Sequence, residues 1–270
     1  MTPPWSPSHL ITGAAARLDL PLPAAGPPLE PGSAGVDWVS ALPLRLAAGD
    51  PAAAADLAGR LATVLAPHPA VRAAAVSSGG HLLLTLTDDA LVTLVRQVPA
   101  RWAEIAAPGR PPTSSPASPP ASSPVARRRS LEDPVYRAQL GHARLTALLP
   151  PPDAAGADRH LREPSCWGTG ETSWGGTGET SWGGTGETAY GLPSHEVLVA
   201  GADALRVADR LGAGGRPHHL TDWLARTGEA VVSWTREPRP ERPDPTLVAA
   251  LRDALASALR ATGTTPIERL

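Results

Sequence analysis

The chain has 270 residues, 42% of them hydrophobic, which is enough to build the cores of two ordinary domains. Its 24 basic residues, all arginines, face 26 acidic residues, and the formal net charge of −2 excludes a protein that binds nucleic acid through a large net positive charge. Because lysine is absent, a Walker-type nucleotide loop, which needs a lysine for the phosphates, is also excluded.

Cysteine content and hydropathy restrict the class further. A single cysteine, Cys166, excludes an internal disulfide and a metal site built from several cysteines. No stretch approaches the ~20 consecutive apolar residues of a membrane-spanning helix, and the N-terminus lacks the basic and then apolar pattern of a signal peptide. We therefore expect a soluble cytoplasmic protein that has no cofactor, no metal and no contact with a membrane.

Residues 1–107 predict a small α/β module. Ser8 is predicted to cap a short first helix. The pair Asp50-Pro51 combines a capping side chain with a residue suited to the first helical position, and the apolar residues that follow recur on one helical face. Residues 71–76 and 81–86 predict two strands of a β-hairpin, because the glycines between them permit the positive φ of a hairpin loop.

Residues 108–130 consist mainly of Pro, Ser, Ala and Arg and show no periodicity, so they predict a disordered linker. The run Arg127-Arg128-Arg129 could hold phosphate, but a solvated charge run is the commoner case. Three charges on such a segment would add only a modest electrostatic contribution to the binding of nucleic acid.

Residues 131–270 predict an all-α helical bundle with a disordered insertion at 150–192. Asp133-Pro134 marks one helix start, and apolar residues at helical spacing indicate three further amphipathic helices. The first runs from Ser194 to Gly212, the second begins near Arg216-Pro217, and the last follows Asp244-Pro245. The neighbouring histidines at the start of the second of these would point about 100° apart, so they do not form a metal site. The predicted fold class of the whole chain is α+β.

The insertion contains a tandem repeat. The octapeptide Gly-Thr-Gly-Glu-Thr-Ser-Trp-Gly begins at Gly168 and again at Gly176, and a variant with Ala-Tyr in place of Ser-Trp begins at Gly184. A period of eight residues is too short for a solenoid unit, so an enlarged disordered loop is the favoured interpretation. Stacking of the aromatic residues on unpaired bases is the alternative, which the glutamates in each repeat disfavour.

Two motifs carry a resemblance to a known family. Residues 133–144 read Asp-Pro-Val-Tyr-Arg-Ala-Gln-Leu-Gly-His-Ala-Arg. This run resembles the opening helix of the DALR-type anticodon-binding domain of arginyl-tRNA synthetases, where the pattern is close to Asn-Pro-Val-Tyr-Tyr-Val-Gln-Tyr-Ala-His-Ala-Arg. Residues 263–270 resemble the end of the same domain, and residues 36–47 with the predicted hairpin resemble the additional N-terminal domain of that family.

The resemblance implies a relative without catalytic activity. In the enzymes a large nucleotide-binding domain lies between the two resembling parts, whereas this chain has the linker 108–130 there. It has no His-Ile-Gly-His-like turn to hold ATP and no Lys-Met-Ser-Lys-like loop to neutralise pyrophosphate. We therefore expect no aminoacylation and no other enzyme activity.

The resemblance also implies an RNA-binding surface and its residues. The candidates are Tyr136, Arg137, His142, Arg144, Trp234 and Arg269. Family aromatic residues are replaced at Arg137, Leu140 and Thr235. A guanidinium at Arg137 can still stack on a base, whereas Leu140 and Thr235 each remove a stacking contact worth ~1–3 kcal/mol. The expected partner is tRNA or another structured RNA. The alternative is a module for protein–protein interaction or regulation that has lost RNA binding, which the acidic balance of the chain favours.

Overall fold

The computed structural model describes residues 6–24, 26–33, 35–106, 130–150, 191–212, 218–237 and 241–267. Three predictions fall on residues outside these ranges: the linker at 108–129, the insertion at 151–190, which holds the octapeptide repeats except Gly191, and the candidate Arg269. Within them the chain forms helices α1 Pro7–Arg17, α2 Leu42–Leu46, α3 Pro51–Leu65, α4 Asp88–Ala106, α5 Pro134–Leu148, α6 His195–Gly212, α7 His218–Trp234 and α8 Pro245–Ala261. Its strands are β1 Leu29–Pro31, β2 Trp38–Ser40, β3 Val71–Val76 and β4 Leu82–Leu86.

The α+β class that the sequence predicts is confirmed. The four strands form one antiparallel sheet in the order β1-β2-β4-β3, and the described helices of the C-terminal part pack on one another. The predicted hairpin is strands β3 and β4, whose turn contains Gly80 at φ 75°. A Cβ atom at Gly80 would lie 2.7 Å from Cβ of Ala54 on α3, so glycine permits both the turn and the close approach of the helix.

Four of the helices begin at a capping side chain followed by proline. Asp50, Asp133 and Asp244 each accept a hydrogen bond from a backbone N–H of the first turn, which satisfies donors that have no partner inside the helix. In α1 the cap is Ser6 and not Ser8, because Pro7 occupies the first helical position and the Ser6 hydroxyl accepts from the backbone of His9.

Helix α4 joins the N-terminal part to the C-terminal bundle. It packs against α6 and α8, and the three helices meet at Gly201, where a Cβ atom would lie 2.9 Å from Val95 and 2.5 Å from Leu251. Farther along α4, the ring of Trp102 lies against Trp223 of α7, with 6.3 Å between their centroids. One buried apolar cluster therefore contains residues of both parts of the chain.

A buried charge cluster connects the same two parts. Asp203 of α6 is 1% exposed, and its carboxylate accepts hydrogen bonds from Arg206 at 2.6 and 2.9 Å and from Arg226 at 3.0 Å. The indole N–H of Trp38 in the sheet points at the same carboxylate at 3.4 Å. Burial alone would raise the pKa of Asp203, but the two guanidinium groups outweigh it and hold the pKa below its usual range.

A histidine lies between two carboxylates at the junction of the sheet and α6. His195 places Nε2 2.8 Å from Asp37 and Nδ1 2.8 Å from Asp88. Both contacts are hydrogen bonds only when both ring nitrogens carry protons. Burial opposes the charged form, but the hydrogen bonds to Asp88 and Asp37 outweigh burial and raise the pKa of His195.

This geometry predicts a pH-dependent stability. A group whose pKa is raised by folding stabilises the native state fully below its unfolded pKa of about 6.5, and this stability disappears as pH rises through the higher folded pKa. We expect the difference in unfolding free energy between the wild type and a His195→Gln variant to decrease as the pH rises through the folded pKa of His195. Urea denaturation at several pH values between pH 5 and pH 9 measures this difference. The control is His81→Gln, because the His81 ring of the wild type contacts only a neutral group, the Ser77 hydroxyl, in that hydrogen bond. A difference in unfolding free energy between the wild type and His195→Gln that stays constant with pH would contradict the prediction.

Candidate nucleic-acid interface

Helix α5 and the C-terminal tail, described over 262–267, lie against each other. The side-chain amide of Gln139 donates to the carbonyl oxygen of Thr265 at 3.0 Å, and Nδ1 of His142 lies 2.8 Å from the carbonyl oxygen of Ile267. Because a carbonyl can only accept, Nδ1 of His142 carries the proton. The two segments that resemble the opening and the end of an anticodon-binding domain thus meet at one surface.

Helices α5 and α7 approach closely through glycine. A Cβ atom at Gly228 would lie 2.8 Å from the backbone N of Ala138 and 2.8 Å from the backbone C of Arg137. Gly141 faces the same crossing from α5, with Gly228 and Val231 at 3.4–3.5 Å from its own virtual Cβ. Because neither glycine has a side chain, the two backbones can approach each other closely at this crossing.

Both candidate arginines of α5 bind to groups of the protein itself. Arg137 forms an ion pair with Glu229 at 2.7 Å, and its remaining donors point to the carbonyl oxygen of Leu131. Arg144 donates to the carbonyl oxygen of Val232 at 3.3 Å and to the hydroxyl of Thr235 at 3.0 Å. Arg144 thereby places a cation at the C-terminal end of α7, where it offsets the partial negative charge of the helix end.

The aromatic candidates differ in exposure. His142 and Trp234 are each 4% exposed, so neither ring offers a free face to a base in this conformation. Tyr136 is partly exposed on the first turn of α5. The candidates of α5 lie on different faces of the helix, since Arg137 and Arg144 contact α7 whereas His142 contacts the tail. Trp234 is buried on α7. The role of these residues in RNA binding stays a prediction.

Arginines that already pair with carboxylates of the protein are less available to bind phosphate. In the described ranges eight arginines form ion pairs with carboxylates, namely Arg72, Arg96, Arg101, Arg137, Arg206, Arg210, Arg226 and Arg252. In the described part of the bundle Arg236, Arg242 and Arg260 have no such pair. The sequence did not single out these three, because pairing depends on residues that are distant along the chain. Arg236 is exposed and directly follows Thr235, whose hydroxyl accepts a hydrogen bond from Arg144.

The described residues contain no group of three or more His, Cys, Asp or Glu side chains that could hold a metal ion. The neighbouring rings of His218 and His219 lie 4.1 Å apart at the start of α7. Burial and the nearby Arg210 guanidinium lower the pKa of His219, which favours its neutral form. Among the helices described, none has the length and apolar character needed to cross a bilayer.

Comparisons with protein-family models, curated proteins and solved structures found no match to this chain. The likeness to the anticodon-binding domain therefore remains a prediction from the sequence motifs.

Proposed function

We propose that this chain is a non-catalytic RNA-binding protein, which binds tRNA or another structured RNA at the surface formed by α5, the C-terminal end of α7 and the C-terminal tail. One observation carries the proposal: the hydrogen bonds from Gln139 and His142 join the tail to α5. A surface made from both motifs is what an anticodon-binding domain would need.

The charge distribution supports recognition of a particular RNA shape over general attraction to phosphate. Arg144 and Arg236 provide two cations at the C-terminal end of α7, and Tyr136 provides an aromatic ring within the same helix pair. Unpaired bases in RNA loops are commonly bound by stacking on aromatic or guanidinium planes. Eight of the 15 described arginines already pair with carboxylates, which reduces the number of phosphates that could be neutralised, and the affinity should depend only modestly on salt.

The test is binding of an unmodified tRNA transcript at several salt concentrations. Tyr136→Ala is expected to weaken binding roughly 5-fold to 150-fold, the equivalent of one lost stacking contact of ~1–3 kcal/mol. Arg236→Gln is expected to weaken the binding of different RNAs by about the same factor, because it removes a contact with phosphate. It should also make the slope of log affinity against log salt shallower by about one. The matched control is Arg60→Gln, which removes an exposed charge from α3.

Two results would overturn the proposal. One is equal affinity of the chain for tRNA and for heparin, because it would leave only general attraction to polyanions. The other is an effect of Tyr136→Ala and Arg236→Gln no larger than that of Arg60→Gln. Either result would leave the surface without a role in RNA recognition.

A protein-interaction module is the second candidate, and the extensive pairing of arginines with acids is the observation that favours it. Such pairing leaves the surface with little free positive charge for phosphate. Crosslinking in cells, followed by identification of the attached molecules, separates the two candidates: RNA crosslinked to α5 or the tail supports the first, and protein without RNA supports the second.

A further inference from the structure

The two edges of the β-sheet differ in how well they are protected. The edge strand β1 is short and contains Pro31, which has no N–H to offer to a further strand. The carbonyl oxygen of Leu29 is already bound, since Arg210 donates to it at 2.9 Å. Short strands, prolines and covered backbone groups are the usual means by which proteins prevent sheets from pairing edge to edge. The β1 edge therefore offers little for a further strand to bind.

The opposite edge of the sheet, strand β3, has open backbone groups. Bonded and non-bonded pairs alternate along an antiparallel ladder, and next to β3 the N–H of Ser77 donates to the carbonyl oxygen of His81 at 2.9 Å. Ala75 is consequently bonded to β4, whereas Ala74 and Val76 direct their N–H and C=O groups away from β4. No described residue outside the sheet forms a hydrogen bond with these four groups.

The side chains beside the β3 edge are small and apolar. Residues that pair across an antiparallel ladder point to the same face, so Ala75, Leu83 and Val39 form one row across three strands. This row lies on the outer face of the sheet, opposite to the buried Leu84. Ala73 and Ala75 are exposed there, and the row ends at the β3 edge. A strand added at this edge would continue the row.

The charge at the β3 edge is neutralised within the chain. Arg72 is the only charged residue of β3, and it forms an ion pair with Asp88 at 2.9 Å. A partner of high charge would therefore find no free counter-charge on this strand. A second copy of the chain, in contrast, offers the same open edge and the same apolar row. Two identical strands that pair antiparallel around a twofold axis make a self-complementary contact.

We propose that two copies of this chain associate through β3, so that their four-stranded sheets form one continuous sheet. With Ala74 opposite Ala74 of the second copy, the outward N–H and C=O groups pair, and Ala73 lies opposite Ala75 of the second copy. The contact uses one strand from each copy, which puts its area among the small interfaces, below about 1,200 Å², and makes the dimer weak. The association goes beyond the proposed RNA binding and does not depend on it.

Sedimentation velocity of the full chain over a wide range of concentration tests the association. The average mass is expected to rise from that of the monomer towards that of the dimer as the concentration increases. Hydrogen exchange then locates the contact: the amides of Ala74 and Val76 should exchange more slowly at high concentration. The amide of Leu29 on the β1 edge is the internal control and should exchange at the same rate throughout.

Charged variants test whether the two β3 strands face each other. The double variant Ala73→Glu with Ala75→Glu places like charges across the twofold axis, and we expect it to associate at least about tenfold more weakly than the wild type. The double variant Ala73→Arg with Ala75→Arg should do the same, whereas an equal mixture of the two variants should associate again. The matched control, Ala52→Glu with Ala53→Glu, adds two acids at exposed positions of α3 and should associate like the wild type.

Three results would overturn the proposal. The first is a chain that stays monomeric at every concentration, which would leave the open edge to a strand from a different protein. The second is undiminished association of the double-glutamate variant. The third is a mixture of the two charged variants that stays monomeric although each variant melts like the wild type. Loss of tRNA binding alone would overturn only the proposed RNA surface.

Discussion

Asp203→Asn is expected to lower the free energy of unfolding by about 3–5 kcal/mol, because it removes the buried carboxylate that pairs with Arg206 at 2.6 Å and leaves only Glu30, at 3.6 Å, as a counter-charge. The side chain of Arg206 is 9% exposed and that of Asp203 1%, so water cannot replace the lost partner. Arg226 is 42% exposed and can turn to solvent. Urea denaturation at neutral pH measures the effect.

The control for this prediction is Asp209→Asn. Asp209 pairs with Arg101 at 2.7 Å, but the two side chains are 56% and 41% exposed, and exposed pairs contribute at most about 1 kcal/mol. A double substitution, Asp203→Leu with Arg206→Met, is expected to recover much of the loss, since it removes both buried charges. Equal losses for Asp203→Asn and Asp209→Asn would contradict the role given to the buried cluster.

Gly228→Ala is expected to destabilise the protein by about 1–3 kcal/mol, although alanine is the better helix former by about 1 kcal/mol. The added Cβ would lie 2.8–2.9 Å from backbone atoms of Arg137 and Ala138, and a backbone cannot yield as a flexible side chain can. Helix α5 would have to move away from α7. The measurement is the shift of the urea midpoint relative to the wild type.

Gly141→Ala is the matched substitution at the same crossing. Its Cβ would meet Gly228 at 3.4 Å and Val231 at 3.5 Å, which is close to ordinary contact. We expect a change within about 1 kcal/mol, because the gain in helix propensity offsets the slight crowding. If both alanine variants lose the same stability, the close backbone approach at Gly228 is not what fixes the spacing of the two helices.

Sequence reasoning was most successful where the interaction is local. Capping by Asp50, Asp133 and Asp244 was predictable, because the carboxylate binds an N–H only two residues away. The hairpin β3–β4 was predictable for the same reason. Strands β1 and β2 were not found, because each has three residues and too few side chains to show alternation.

The candidate interface shows the limit of the same approach. The sequence placed Arg137 among RNA-binding candidates, but its ion pair with Glu229 bridges 92 residues. Arg96 and Asp244 are 148 residues apart, and no local pattern connects them. Arg236 and Arg260, which pair with no carboxylate in the described ranges, look no different from paired arginines in the sequence.

The sequence by itself determined where the helices capped by Asp50, Asp133 and Asp244 begin and which segments are apolar, because each of these features depends on neighbours within a few residues. Only the tertiary structure decided that α4 packs into the bundle, that Asp203 collects two arginines and that Arg210 covers one edge of the sheet. These features need groups from distant segments to meet, and local spacing does not specify which faces will pack.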